Sequence, residues 1–152
     1  MAISIWNVSI THASIEPVPQ ERDGEAGAIV DFLGIVRAHE GDRLITGIEY
    51  EANVAMAEHQ LNVIAEKAAA DFALSRIIIT HRIGFVKVAE PSLFLRVESG
   101  HRSAAFSASV WIIDELKRRV PIWKCPVFAT GREHEQELER VTASPAESPL
   151  RA

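Results

Sequence analysis

The sequence has little cysteine: Cys125 is the single one in 152 residues. One cysteine excludes an internal disulfide and any zinc site built from several cysteines. No stretch approaches the ~18 consecutive apolar residues that a membrane-spanning helix needs. No lysine or arginine precedes Arg22, so the basic start of a secretory signal is missing as well. These absences predict a cytoplasmic protein with no membrane association.

Positive charge is also scarce, because the formal net charge at pH 7 is −5. Nucleic-acid binding relies on a broad basic surface, so we expect no nucleic-acid partner. Acidic residues concentrate at positions 21–25 and 133–139, whereas residues 100–124 are basic. A local positive patch on an acidic protein suits a small anion better than a polymer.

The apolar content is sufficient for a core without covalent cross-links. Hydrophobic residues make up 47% of the chain and charged residues 24%, which is ordinary for a globular protein. A chain of this length predicts one domain, which we expect over residues 1–142. Residues 132–141 predict a short charged helix, and residues 143–152, with two Ser-Pro pairs, predict a disordered tail.

Residues 100–124 (GHRSAAFSASVWIIDELKRRVPIWK) predict a long amphipathic helix followed by an extended segment. Small and apolar side chains recur at three- and four-residue steps, which places them on one buried face. These side chains are Ala105, Ser109, Ile112, Ile113, Leu116 and Val120. Pro121 is expected to end the helix, because proline disfavours the helical conformation of the residue before it.

The rest of the chain mixes strand and helix patterns. Apolar runs, some of them alternating, predict strands over residues 1–11, 27–36, 44–51, 76–80, 85–88, 93–97 and 126–128. Residues 54–72 predict a helix with Asn53 as its N-cap. Because strands and helices do not alternate regularly, we expect an α+β fold with a mostly antiparallel sheet and packed helices.

The same pattern also predicts a bulge and the turns between strands. Gly34 interrupts the second strand and predicts a bulge or a close backbone approach there. The strands over residues 27–36 and 44–51 predict a hairpin with a wide connection, and Pro91 predicts a turn.

Basic side chains gather at both ends of the long helix. The common interpretation of the cations at residues 117–119 is that they are solvated and favour the negative end of the helix dipole. A second interpretation rests on the combination, because His101 and Arg102 precede the first turn, whose free N–H groups attract anions. With Lys117 and Lys124, this pair would form a pocket for a small phosphorylated substrate.

Several ordered blocks of sequence resemble one known family. The blocks are HRSAAF at residues 101–106, DELKRRVPIWK at 114–124, GAIVDFLGIVR at 27–37, GIEYEANVAMAEHQL at 47–61 and HRIG at 81–84. In order and spacing they are similar to the large, catalytic subunit of molybdopterin synthase, the MoaE family. The resemblance implies an α/β hammerhead fold.

The resemblance also implies a reaction and partners. Members of this family convert cyclic pyranopterin monophosphate into molybdopterin by adding two sulfurs as a dithiolene. The sulfur arrives as a thiocarboxylate on the C-terminal Gly-Gly of a small ubiquitin-like carrier subunit. The resemblance implies a homodimer within a heterotetramer and no permanently bound cofactor. The sequence shows no convincing spacing of metal ligands.

By the same resemblance, one group of residues holds the substrate. Arg37 would grip the phosphate, a task that suits a bidentate guanidinium, and Ile35 and Val36 would form the adjacent wall. His101 and Arg102 match the family's substrate-binding pair, and the resemblance implies that this pair reaches across the dimer interface.

The two lysines match the family's catalytic lysines. Lys117 would lie beside the carrier's terminal glycine, where an ammonium stabilises a developing oxyanion. Like charges at Arg118, Arg119 and Lys124 would favour its neutral, nucleophilic form. Lys124 would lie near the pterin or its phosphate.

Cys125 and Pro126 depart from the family pattern. They occupy substrate-binding positions where the family usually has a basic residue and a glutamate. A persulfide on Cys125 is the less favoured interpretation, because a lone cysteine is more often a small buried hydrophobe. His81 and Arg82, at a strand end, are assigned a structural role.

Three functions remain from the sequence. The leading one is the catalytic sulfurtransferase subunit. The departure at residues 125–126 supports the second, a non-catalytic paralogue that binds the carrier tail or the pterin and regulates cofactor synthesis. The third is a stand-alone anion-binding module.

Overall fold

A computed structural model describes residues 4–132 of the chain. Most of the predicted charged helix and the whole predicted tail lie outside these residues, so the domain limit at residue 142 stays a prediction. In chain order the elements are β1 (Ile5–Thr11), β2 (Ala28–Ile35), β3 (His39–Glu40), β4 (Arg43–Ala52), α1 (Val54–Asp71), β5 (Leu74–Arg82), β6 (Gly84–Lys87), β7 (Pro91–Ser99), α2 (Arg102–Arg119) and β8 (Ile122–Phe128).

The strands form two sheets, and nearly all neighbours are antiparallel. The first sheet has the order β1-β5-β7-β2, in which β1 and β5 are the parallel pair. In the second sheet β4 pairs with β3, β6 and β8, always antiparallel. The expected α+β class with a mostly antiparallel sheet is confirmed.

Both helices cover one face of the first sheet, where the larger core lies. Alternate residues of β7 point into that core, namely Leu93, Leu95 and Val97. Helix α1 begins as predicted at Asn53, whose side-chain oxygen accepts a hydrogen bond of 3.2 Å from the backbone N–H of Met56. Neither helix of the described part of the chain is long and apolar enough to cross a membrane.

Helix α2 packs through the face that the sequence predicts. Its buried residues include Ala105, Ser109, Ile112 and Leu116. The helix ends at Arg119, directly before the capping residue Val120 and Pro121. Prediction and structure agree here because a three- to four-residue period over five turns fixes one helical face.

The predicted hairpin between residues 27–36 and 44–51 is wrong. Strand β2 pairs with β7, and β4 lies in the other sheet. The predicted bulge explains the change, because the register shifts between Gly34 and Ile35. After this shift the backbone N–H of Val36 bonds to the carbonyl of Glu90, and the chain leaves the first sheet. A strand pattern gives the strand but not its long-range partner.

Two smaller predictions also change. Pro91 starts β7 instead of forming a turn, which suits a residue that has no N–H to donate to the ladder. The turn lies just before it and includes Ala89 at a positive φ of 72°. The extended segment after Pro121 and the strand over residues 126–128 form one strand, β8, that tolerates Pro126 at a sheet edge.

A second, smaller core lies under the second sheet. Its buried members are Val36, Ile45, Ile48, Tyr50, Ile83 and Val86. Strands β4 and β6 approach closely at Gly47, where a Cβ atom would lie 2.4 Å from the carbonyl oxygen of Val86. This close approach of β4 to β6 requires glycine at position 47.

Candidate functional site

A cavity of about 590 Å³ lies where the last turns of α2, the bulged end of β2 and the second sheet meet. Its apolar lining comes from all three parts: Phe32, Gly34, Ile35, Val36, Ile48, Leu93, Ile113, Leu116, Val120 and Ile122. Its polar lining consists of Arg37, His39, Glu40, Tyr50, His81, Ser92, Lys117 and Lys124. This volume lies in the range of pockets that bind small molecules.

Three cations line the cavity without an opposite charge in contact. Within residues 4–132, Arg37, Lys117 and Lys124 make no ion pair. The carboxylate of Glu40 also lines the cavity but lies beyond ion-pair distance of all three. Uncompensated positive charge beside an apolar wall favours an anionic ligand.

The neighbouring arginines of α2 are compensated, contrary to the sequence expectation. Glu115 is buried and pairs with Arg118 at 3.1 Å and with Arg119 at 2.7 Å. The electrostatic repulsion that Arg118 and Arg119 exert on Lys117 is therefore reduced. Of the three cations that the sequence placed near Lys117, Lys124 is the one whose charge remains uncompensated.

The bulge in β2 positions Arg37. Val36 is buried in the second core, its N–H donates to the carbonyl of Glu90 at 3.1 Å, and its own carbonyl accepts from Ala89 at 2.8 Å. The residue before Arg37 is thus held on both sides of its backbone. Ile35 and Val36 both line the cavity, and their contact with the substrate, which the resemblance implies, stays a prediction.

The two lysines reach the cavity from different elements. Lys117 lies on the last turn of α2, where Ile113 and Leu116 of the same helix also line the cavity. Lys124 lies on β8, directly opposite Tyr50 of β4. A rigid helix and a paired strand therefore carry the two amines.

Polar side chains that the sequence did not single out form the floor. The Tyr50 hydroxyl donates to Ser92 Oγ at 3.2 Å, and the Ser92 hydroxyl donates to the carbonyl of Gly34 at 3.4 Å. The Tyr50 ring meets the His81 imidazole edge to face, with centroids 5.3 Å apart. No sequence signal indicated Tyr50 or Ser92, because their contacts join strands that are distant along the chain.

His81 is buried, as the structural interpretation expected, but it also lines the cavity. Its Nδ1–H donates to the carbonyl of Arg82 at 2.8 Å. Burial lowers the pKa of His81, the hydrogen bond to the Arg82 carbonyl opposes this, and the charge of Lys124 lowers the pKa further. The imidazole is therefore neutral at neutral pH.

The structure does not bring His101 and Arg102 to this cavity within one chain. Both are exposed at the start of α2, and the His101 side chain makes no capping hydrogen bond. With a rise of about 1.5 Å per residue, Arg102 lies roughly 22 Å along the helix from Lys117. One pocket holding all four basic residues of this segment is thus wrong for a single chain, and a role in a partner's cavity stays a prediction.

Cys125 and Pro126 also lie outside the cavity lining. Cys125 is exposed and faces Glu49 across the strand pair, and Pro126 faces Ile48. Their departure from the family pattern leaves the lining unchanged. Residues 4–132 contain no group of three His, Cys, Asp or Glu side chains placed to hold a metal ion.

Comparison with known proteins agrees with the predicted family. The family described as MoaE protein matches residues 8–119. The molybdopterin synthase catalytic subunit of Thermoplasma volcanium is 39% identical over 127 residues, covering 82% of this chain and 93% of the relative. The X-ray structure of molybdopterin synthase from Staphylococcus aureus aligns with a TM-score of 0.67 at 31% identity, over 78% of this chain and 90% of that chain.

A third relative matches in fold. The protein–protein complex of subunits 1 and 2 of molybdopterin-converting factor from Helicobacter pylori aligns with a TM-score of 0.57 at 24% identity. The match covers 71% of this chain and 75% of that chain.

The predicted enzyme class is confirmed, and these relatives do not favour a non-catalytic paralogue. The family match spans most of the described residues and includes Arg37 and Lys117. The chain therefore belongs to the MoaE family, the family of molybdopterin synthase catalytic subunits.

Proposed function

We propose that this chain transfers sulfur to cyclic pyranopterin monophosphate in the cytoplasm and so makes the dithiolene of molybdopterin. The sulfur donor is a small ubiquitin-like carrier whose C-terminal Gly-Gly ends in a thiocarboxylate. The observation that carries this proposal is the convergence of three unpaired cations, Arg37, Lys117 and Lys124, on one partly apolar cavity.

The two ends of such a substrate suit different parts of the cavity. The phosphate would bind the Arg37 guanidinium through two hydrogen bonds and the Lys124 ammonium through one. The pterin ring would lie against the apolar wall that includes Phe32 and Ile113. The Cys125-Pro126 departure lies outside the lining, so it leaves this binding mode intact.

Lys117 has the chemistry that the transfer step needs. In that step the thiocarboxylate sulfur forms a bond to a pterin side-chain carbon as a C–O bond at the same carbon breaks and its oxygen leaves. Water then attacks the acyl carbon. The acyl–sulfur bond breaks, the sulfur stays on the pterin, and the carrier leaves as a carboxylate with one oxygen from water. The Lys117 ammonium would stabilise the negative charge that develops on the acyl oxygen. Two carriers in succession supply the two sulfurs.

The proposed assembly is a homodimer with one carrier per protomer, hence a heterotetramer. The exposed positions of His101 and Arg102, far from their own chain's cavity, support a role in the partner's cavity. The Helicobacter pylori relative, itself a complex of two different subunits, supports a protein partner for this fold. Sedimentation showing a fully active monomer at micromolar concentration would overturn the dimer.

The deciding experiment combines the protein, a thiocarboxylated carrier and cyclic pyranopterin monophosphate in a single turnover. We expect dithiolene product, with a carrier that lacks the terminal sulfur as the matched control. A protein that binds both the pterin and the carrier but forms no product would be the non-catalytic paralogue instead. A protein that binds simple anions and neither partner would be an anion-binding module.

A further inference from the structure

The cavity floor contains an acceptor atom that makes no hydrogen bond within residues 4–132. The side chain of His81 is 6% exposed, and its Nδ1–H is committed to the carbonyl of Arg82 at 2.8 Å. Among residues 4–132 no hydrogen bond reaches its Nε2 atom. The Nε2 atom is not fully enclosed by protein. It is therefore the polar atom that the imidazole presents to the cavity.

The other polar groups near His81 do not satisfy this acceptor. Tyr50 meets the imidazole through its ring, and its hydroxyl proton is donated to Ser92. Lys124, across the strand pair from Tyr50, is near enough for its charge to act on His81, but it makes no hydrogen bond to it. An acceptor that faces a cavity and has no protein partner can accept a hydrogen bond from a ligand bound there.

The three cations and the His81 imidazole would bind different chemical groups of one ligand. Arg37, Lys117 and Lys124 are donors only, so they recognise acceptor atoms and favour anionic oxygen. A neutral imidazole whose Nδ1 carries the proton accepts at Nε2, so it recognises an N–H or O–H group. A ligand that carries both a phosphate and ring N–H donors fits this set, whereas an acceptor-only anion such as sulfate fits half of it.

We propose that His81 contacts the substrate directly, with Nε2 accepting a hydrogen bond from an N–H or O–H group of the bound pyranopterin. This inference rests on the proposed function, because the pterin supplies the donor. His81 then discriminates the pterin from simpler anions, while Arg37 and Lys124 bind the phosphate.

Two substitutions separate this role from a structural one. In His81→Asn the side-chain amide N–H replaces Nδ1–H, so the bond to the Arg82 carbonyl is kept and the Nε2 acceptor is lost. In His81→Gln the longer side chain puts an amide oxygen near the position of Nε2 and gives up the bond to the carbonyl. A substrate contact and a structural contact therefore predict opposite orders for the two variants.

The measurement is the affinity of each variant for cyclic pyranopterin monophosphate and for sulfate, by calorimetry. We expect His81→Asn to weaken pterin binding about tenfold, the effect of one hydrogen bond, and to leave sulfate binding within about twofold. His81→Gln should bind the pterin better than His81→Asn does. The saturated single-turnover rate should change less than the affinity, because the contact is made before the chemical step.

The opposite result overturns the inference. If His81→Asn binds the pterin as the unmodified protein does, and His81→Gln weakens both ligands, the imidazole is structural. If His81→Asn fails to fold by circular dichroism, His81→Gln decides: retained pterin binding supports the contact, and loss of both ligands overturns it. Unmodified protein that binds no pterin overturns the proposed function, and the inference with it. Pterin binding that is unaffected in His81→Asn overturns the inference alone.

Discussion

The two ends of α2 differ in what surrounds them. At the C-terminal end, Lys117 shares its turn with Leu116, which lines the same cavity, and the adjacent arginines are paired with Glu115. At the N-terminal end, His101 and Arg102 are exposed, and within the described residues neither side chain makes an ion pair or a hydrogen bond. The C-terminal end of α2 contributes to a site within its own chain. The N-terminal end presents an imidazole and a guanidinium to the protein surface.

The surface between the two ends extends this difference. Phe106 and Val110 follow Arg102 at four-residue steps, so the three lie on one face of α2. Phe106 is 61% exposed and Val110 is 62% exposed. Exposed apolar side chains next to a cation are typical of a protein-binding surface. The difference supports the proposal that the N-terminal half of α2 contacts another chain.

The largest expected effect is at the C-terminal end. Lys117→Ala should lower the single-turnover rate by about a hundredfold or more, about 2.7 kcal/mol on the barrier, and should leave pterin affinity within about twofold. Arg118→Ala, one residue further along the helix, is the matched control and should change neither quantity much. A variant that loses affinity but keeps its saturated rate would make Lys117 a binding residue.

The next effect tests the N-terminal end. Arg102→Ala should weaken pterin binding about tenfold, because a charged hydrogen bond to the phosphate is lost in a partner's cavity. An equal mixture of Arg102→Ala and Lys117→Ala, refolded together, should form mixed dimers in half of the cases. In each mixed dimer one cavity has both an intact Lys117 and an intact Arg102 from the partner. About a quarter of all sites should therefore be active at low pterin concentration.

The control for this mixture uses two residues of the same cavity. Arg37→Ala mixed with Lys117→Ala should restore no site, because each cavity then lacks one of the two residues of its own chain. Equal recovery in the two mixtures would show that Arg102 acts within its own chain and would remove the contrast between the helix ends.

A smaller effect is expected on the pH dependence of stability, to which the buried His81 should contribute. Because the pKa of His81 is lowered in the folded state, the unfolded chain takes up its proton first as the pH falls below about 6.5. Stability is therefore complete above that pH and falls below it by up to about 1.4 kcal/mol per pH unit, until the folded-state pKa is reached. Urea unfolding between pH 7 and pH 5 should show this loss.

Two substitutions identify the source of the pH dependence. His81→Asn should flatten it, whereas His101→Asn, at the exposed end of α2, should leave it unchanged. If both variants keep the slope of the unmodified protein, the burial of His81 is not the cause.

The smallest effect is expected just beyond the C-terminal end. Cys125→Ser should change sulfur transfer less than about twofold, because the thiol is exposed and outside the cavity lining. Lys124→Ala, the neighbour that does line the cavity, should weaken pterin binding about tenfold under the same assay. A loss of about a hundredfold in Cys125→Ser would bring a persulfide intermediate back into the mechanism.

Local features were predictable from the sequence, because they depend on neighbouring residues. The Asn53 cap, the buried face of α2 and the Gly34 bulge all appear where the pattern indicated them. Each depends on contacts within a few positions along the chain, so a single sequence contains the whole signal.

Pairing over long distances could not be predicted in the same way. Strand β2 pairs with β7 instead of β4, and β1 pairs in parallel with β5, although all of these segments have ordinary strand patterns. The resemblance named Arg37, Lys117 and Lys124, and the structure brings them to one cavity. His81 was assigned to the fold alone, because only the juxtaposition of β4, β5 and β8 reveals its position on the cavity floor.

The hydrogen bonds from Tyr50 to Ser92 and from Ser92 to Gly34 connect the two sheets across the floor of the cavity. The walls of the cavity cannot move apart without breaking this link. The cavity is therefore preorganised, and a small ligand can bind without ordering the backbone around it. We expect an observed association rate that rises linearly with ligand concentration, with no plateau from a slow opening step.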